Sequence, residues 1–209
     1  NYLQNYLNRA KKGCVICGGT CYSSQKPTDE KKVLRWKYGL TREAVSAEVR
    51  SKRRGFIITS NNFLADRELF RKVHFREQIR SYGHEDTLLG LDLFTYGMEP
   101  VHIDNPVEHT GLEDANVFLE KSRSAIENLS CISNDKTVNS ALLKNRMNFF
   151  KQYEKITSVV PPSIIKCLFN QTRELLEKQL TGKNPSLFLF DLYKLGYYSK
   201  TDCSLRKDI

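Results

Sequence analysis

Cys14-Val15-Ile16-Cys17-Gly18-Gly19-Thr20-Cys21-Tyr22 is the stretch that sets the architecture. β-Branched residues alternate here with small apolar ones, and the run reads as one short strand over 14–22. Cysteine acts in such a strand as a small apolar residue. The competing reading takes Cys14-x-x-Cys17-x-x-x-Cys21 as a zinc or redox motif. It fails on ligand number, because a structural zinc takes four ligands and no second Cys/His pair answers this one. The other cysteines are Cys131, Cys167 and Cys203. Residues 1–12 are polar and carry no apolar signal-peptide core, so reduced thiols and a cytoplasmic setting are the expectation.

Upstream of the strand, Tyr2, Leu3, Tyr6 and Leu7 have helical spacing and predict the end of a helix over 1–8. Downstream, residues 23–32 form a polar loop, and 33–54 mix aromatic and basic residues ahead of a short helix. Phe56-Ile57-Ile58-Thr59-Ser60 reads as a second strand that delivers Ser60, Asn61 and Asn62 at its end. Asn61-Asn62 is turn chemistry, and Asp66 caps a short helix. A loop over 73–84 leads to a helix from Glu85 to Tyr96. Glu99 to Asp104 reads as a strand stopped by Asn105-Pro106. From Leu112 the pattern turns helical: 112–131, 136–157, 161–181 and 186–198, punctuated by Pro161-Pro162 and by Gly182 with Pro185. The expectation is an α/β domain over 1–111 and a C-terminal helical extension over 112–209.

The chain has 209 residues, 40% of them hydrophobic, which is enough for one sizeable core. This composition excludes a disulfide-dense miniprotein, a collagenous chain and a wholly disordered one. No apolar run is long enough to span a membrane. The formal net charge is +9, and it is localised: residues 9–54 hold 13 basic residues and four acidic ones, which is the whole excess. A focused positive field suits a phosphate-bearing partner, whether nucleotide, nucleic acid or anionic lipid; a solvated basic face is the plainer reading.

Three constellations carry chemistry. Gly83-His84-Glu85-Asp86 places two carboxylates at the start of an apolar helix, where the helix dipole favours the ionised form and a general base is well served. The same two residues are also ordinary first-turn residues. His102-x-Asp104 with His109 has the composition of a two-His-one-carboxylate iron site. Its members, however, lie within eight residues across Asn105-Pro106 rather than on distant strands, which argues against iron. His109 alone, in a loop, suits completion of a carboxylate-rich metal site. Ser60, Asn61 and Asn62 present a hydroxyl and two amides of the kind that read sugar hydroxyls, at a strand end where open α/β folds bind ligands.

In order and spacing these pieces resemble glycosyltransferase family 2, in its bacterial GT-A-type members. The matching run starts at the 1–8 helix end and 15–22. It continues through Leu34-Arg35-Trp36-Lys37-Tyr38-Gly39-Leu40-Thr41-Arg42-Glu43, Thr59 to Leu64 and Tyr82-Gly83-His84-Glu85-Asp86-Thr87-Leu88-Leu89-Gly90. It ends with Asn105-Pro106-Val107-Glu108-His109-Thr110-Gly111 and the following helix. The resemblance implies a partial GT-A-like mixed sheet with flanking helices. It implies Asp86 as catalytic base, Glu85 beside it positioning the acceptor, and Gly18, Gly19, Ser60, Asn61 and Asn62 lining the acceptor side. It further implies His109 as a ligand to Mn²⁺ or Mg²⁺ at the diphosphate of a nucleotide sugar donor, and a saccharide or lipid-linked acceptor. The family's Asp-x-Asp metal motif is nowhere in the chain. The expectation is therefore an acceptor-side half, weak at binding and turning over donor by itself.

Two other classes compete. The basic aromatic stretch 31–54, with Trp36, Tyr38 and Phe56, has the makings of a nucleic-acid surface, although the charge balance elsewhere makes nucleic acid the lesser expectation. The Phe-, Leu- and Tyr-rich stretch 186–198 suits peripheral contact with a membrane face, or packing on the core.

Overall fold

The computed structural model describes residues 1–53, 58–77 and 82–201. In chain order its elements begin α1 (Tyr2–Leu7), β1 (Val15–Cys17), β2 (Thr20–Cys21), α2 (Val33–Tyr38), α3 (Ala47–Lys52), β3 (Phe63–Ala65), α4 (Arg67–Lys72) and α5 (Glu85–Thr95). They continue with β4 (Val101–His102), β5 (Val107–Glu108), α6 (Ala115–Asn134), α7 (Ser140–Arg146), α8 (Asn148–Thr157), α9 (Pro162–Leu180) and α10 (Leu187–Tyr198). The protein is mixed α/β and forms two units. One comprises Asn1–Ser24, Gly39–Ile79 and Glu85–Gly111; the other comprises Gln25–Tyr38, Arg80–His84 and Leu112–Ile209.

The first unit is organised on β1, which pairs antiparallel with β3 and parallel with β4. The strand expected over 14–22 is broken at Gly18-Gly19 into β1 and β2. The parallel ladder nevertheless continues through the break: the backbone N–H groups of Ile103, Asn105, Val107 and His109 donate to the carbonyls of Cys17, Gly18, Gly19 and Cys21 at 3.0, 3.2, 3.2 and 2.9 Å. Asn105-Pro106 thus interrupts a strand without ending it, and β5 continues beside β2. Val15 and Cys17 point into a core with Ile58, Leu69, Val73, Leu89 and Leu93, ringed by Phe63, Phe70 and Phe75.

The second strand differs from expectation. Residues 54–57, which include Phe56 and Ile57, lie outside the described residues, and Ile58 and Thr59 are in no regular element. The strand that pairs with β1 is β3, so Ser60, Asn61 and Asn62 precede a strand in a turn rather than closing one. Asp66 caps α4 as expected, its carboxylate accepting from the Leu69 N–H at 2.9 Å.

The second unit is helical. Pro161-Pro162 opens α9, with proline where its missing N–H costs nothing. Ser186 caps α10 by accepting from Leu189 N–H at 3.4 Å. The helix expected over 136–157 is two helices, since Met147 takes extended backbone between α7 and α8. Leu34 of α2 has no exposed surface and packs with Ala115, Leu119, Phe169, Leu180, Phe190 and Tyr193. Residues 25–38 therefore belong with the C-terminal helices. The basic stretch 9–54 is divided between the two units, and Arg35 and Arg50 are buried within it.

Candidate active site

Asp86 sits in the first turn of α5. Leu89 and Leu93, three and seven residues on, pack against Cys17 and Val15. Helical spacing puts Asp86 on that same face, so burying the leucines turns its carboxylate toward the sheet. There Oδ2 accepts the backbone N–H of Ser60 at 3.1 Å. Glu85, one residue earlier, is exposed. The two residues ahead of the helix, Gly83 and His84, both have left-handed backbone, φ 98° and 72°. A Cβ on Gly83 would stand 2.6 Å from that of Ala125, so only glycine fits this turn.

Burial pushes the Asp86 carboxyl above its ordinary value. Hydrogen bonds from the Ser60 backbone and side chain pull it part of the way back, and the Glu85 charge adds to the rise. The helix dipole alone predicted the opposite direction. A carboxylate made more basic in this way is better suited to receive a proton. The Asp86 charge also reaches Cys17, whose thiol burial pushes up to about 11.

Gly18, Gly19 and Asn62 are buried against the protein's own side chains. A Cβ on Gly18 would lie 2.4 Å from the Tyr6 hydroxyl and 2.6 Å from Nδ2 of Asn62. A Cβ on Gly19, φ 86°, would lie 2.2 Å from the Arg50 guanidinium. The close approach expected for a ligand is occupied by the protein itself. Asn62 is buried, donating through Nδ2 to the carbonyls of Gly19 at 2.6 Å and Asn105 at 2.9 Å. Its Oδ1 accepts from the hydroxyls of Tyr2 and Tyr6. Arg50 donates to the carbonyls of Val45, Gly18 (3.2 Å) and Ile103 (2.7 Å) and to His102 Nδ1 at 3.4 Å. These residues lock the Gly18-Gly19 break in the ladder. Ser60 and Asn61 remain exposed, with Asn61 Nδ2 donating to Thr20 Oγ1 at 3.2 Å.

His109 is delivered by the same ladder, its N–H bonded to Cys21. Its ring stacks on Tyr22 with centroids 5.2 Å apart and an interplanar angle of 19°. The Tyr22 hydroxyl donates to Glu43 in the π-helical turn Gly39–Glu43. Gly39 is required there, since a Cβ would meet the Tyr22 ring at 2.3 Å. Nδ1 of His109 and Oγ1 of Thr59 are buried without a protein hydrogen-bond partner. A free imidazole nitrogen fits a single metal ligand. Among the described residues, however, no three metal-capable side chains converge. His102 and Asp104 have separate work, His102 accepting from Arg50 and Asp104 from the Ala47 N–H at 2.6 Å.

The sequence assigned Tyr6, Tyr22, Glu43 and Arg50 no part in a site. Tyr22 alone carried a signal, closing the strand whose parallel partner ends in His109. Comparisons of the chain with protein-family models, with curated proteins and with solved structures return no match.

Proposed function

We propose that this chain is the acceptor-side part of an inverting sugar transferase of the glycosyltransferase family 2 kind, with a GT-A-like sheet. The observation that carries this reading is Asp86: a half-buried, basicity-raised carboxylate on a helix start, held against the Ser60 turn. Asp86 accepts the proton of an acceptor hydroxyl as that oxygen bonds to the anomeric carbon of a nucleotide sugar. The bond to the nucleoside diphosphate breaks on the opposite face, and the leaving group departs with the electron pair, inverting the centre. Exposed Glu85, Ser60 and Asn61 orient the saccharide or lipid-linked acceptor through hydrogen bonds to its hydroxyls. A bound Mn²⁺ or Mg²⁺ would neutralise charge on the diphosphate. His109 is the one side chain of this set that would hold it, and no group of three metal-capable side chains forms among the described residues. The setting is the cytoplasm or the inner face of a membrane.

Release of nucleoside diphosphate from a panel of nucleotide sugars by the full protein carrying this chain tests the reading. Asp86→Asn is expected to lower kcat by roughly 10²–10⁴-fold while the donor KM holds. No release with any donor, or full turnover in Asp86→Asn, would overturn it.

A further inference from the structure

The α9–α10 hairpin buries only one side. Phe169, Leu176 and Leu180 of α9 face the core, with Gly196 and Tyr193 of α10 against Phe169. Ile164, Leu168 and Leu175 lie on the opposite part of α9, about 120° from Phe169 at roughly 100° per residue. They are 49%, 53% and 69% exposed. On α10, Phe188 (69% exposed) and Leu192 stand about 80° from the α9 contact, in the same rotational sense. The two helices run in opposite directions, so both displacements carry the apolar residues to one side of the hairpin. The result is an apolar face that stands exposed among the described residues.

Its charge setting is one-sided. Glu174 lies about 100° from the centre of the α9 stripe. Glu177 is turned inward to Arg173, Arg123 and Tyr193, and Asp191 is paired with Lys194 at 2.9 Å. At the turn joining the helices, beside Leu175 and Phe188, the groups are basic. Lys26 donates to the carbonyl of Lys183 at 3.3 Å, a bond that leaves its ammonium charge in place. Lys178 flanks the stripe, and Lys183 has a single, largely exposed carboxylate partner, Glu30.

We propose that this face docks on an anionic lipid surface. Leu175 and Phe188 enter the headgroup–acyl boundary, and the lysines at the turn meet lipid phosphates. An apolar stripe bordered by Lys178, Lys183 and Lys26, whose nearby acids Glu30 and Asp191 are each paired with a lysine, is complementary to that surface. The proposal rests on no catalytic reading, and its test needs no activity.

Flotation of the full chain with vesicles of phosphatidylcholine alone, and with about 30% phosphatidylglycerol, decides it. Binding is expected to the anionic vesicles, to weaken at high salt, and to fall at least about tenfold in Leu175→Ser/Phe188→Ser. Both positions are exposed, and near-UV circular dichroism checks that the variant keeps its fold. Lys178→Glu/Lys183→Glu is expected to remove the preference for anionic lipid. Absence of binding to anionic vesicles, or binding indifferent to both variants, would overturn the proposal. So would a concentration-dependent dimer by light scattering that Leu175→Ser/Phe188→Ser abolishes, which would assign the face to a second copy.

Discussion

Asn61 and Asn62 are chemically identical neighbours with opposite duties. Asn62 is 3% exposed, and its side chain serves two carbonyls and two tyrosine hydroxyls. Asn61 is exposed and touches Thr20. Asn62→Ala strands the buried Asn105 carbonyl and removes the acceptor of the Tyr2 and Tyr6 hydroxyls, while Gly19 keeps its bond from Val107 N–H; it is expected to cost about 2–4 kcal/mol in urea unfolding. Asn61→Ala should change stability by less than about 0.5 kcal/mol and act, if sugar transfer is the function, on the acceptor KM. Sequence marked the pair as turn residues but could not divide them. Which amide turns inward is decided by Tyr2 and Tyr6 of α1, some 60 residues away in the chain. Asp86 was legible because its helix, its acidic turn and the glycine before it are local features. Its raised basicity was not, since burial outweighs the helix-end field only once Leu89 and Leu93 dock.

At the scale of elements, the helices were read closely because their periodicity is local, whereas the strands of two or three residues were not. β3 went unread because Phe56 to Ser60 has the stronger β composition; of that stretch the described residues 58–60 are in no strand, and β1 pairs with Phe63–Ala65. Two predictions concern helix packing. Gly196 brings α10 onto the Phe169 ring, where a Cβ would stand at 2.5 Å. Gly196→Ala should be destabilising by about 1–2 kcal/mol despite its better helix propensity, read from the denaturation midpoint. Glu177 joins α6, α9 and α10 through Arg123, Arg173 and Tyr193. Burial raises its carboxyl, but the hydrogen bonds and the two arginine charges outweigh this, and the net direction is down. A carboxyl depressed in the folded state adds stability above its unfolded pKa and loses it as pH falls through the folded one. Wild-type stability should therefore drop as pH falls below the ordinary glutamate value of about 4.3, and Glu177→Gln should flatten that acid limb. An unchanged limb would show that the network carries no linkage.

Across the whole molecule, the change of pattern at Leu112 was visible, but the return of residues 25–38 to the helical unit was not. Val33, Leu34 and Tyr38 look like a continuation of the preceding loop and strand, and nothing local announces partners in α6, α9 and α10. Cutting between 111 and 112 should therefore damage both pieces. Residues 112–209 alone should melt below the intact chain, and 1–111 should show poorly dispersed amide resonances with Leu34 uncovered. Two independently cooperative fragments would contradict this. The same arrangement bears on how the protein is made. Leu34 leaves the ribosome well before Phe190 and Tyr193, which pack with it. At roughly 5–20 residues per second, that interval lasts several seconds to tens of seconds. During synthesis the nascent α2 is thus a transient adhesive segment, and the yield of native protein depends on how well holding chaperones shield it until α10 arrives.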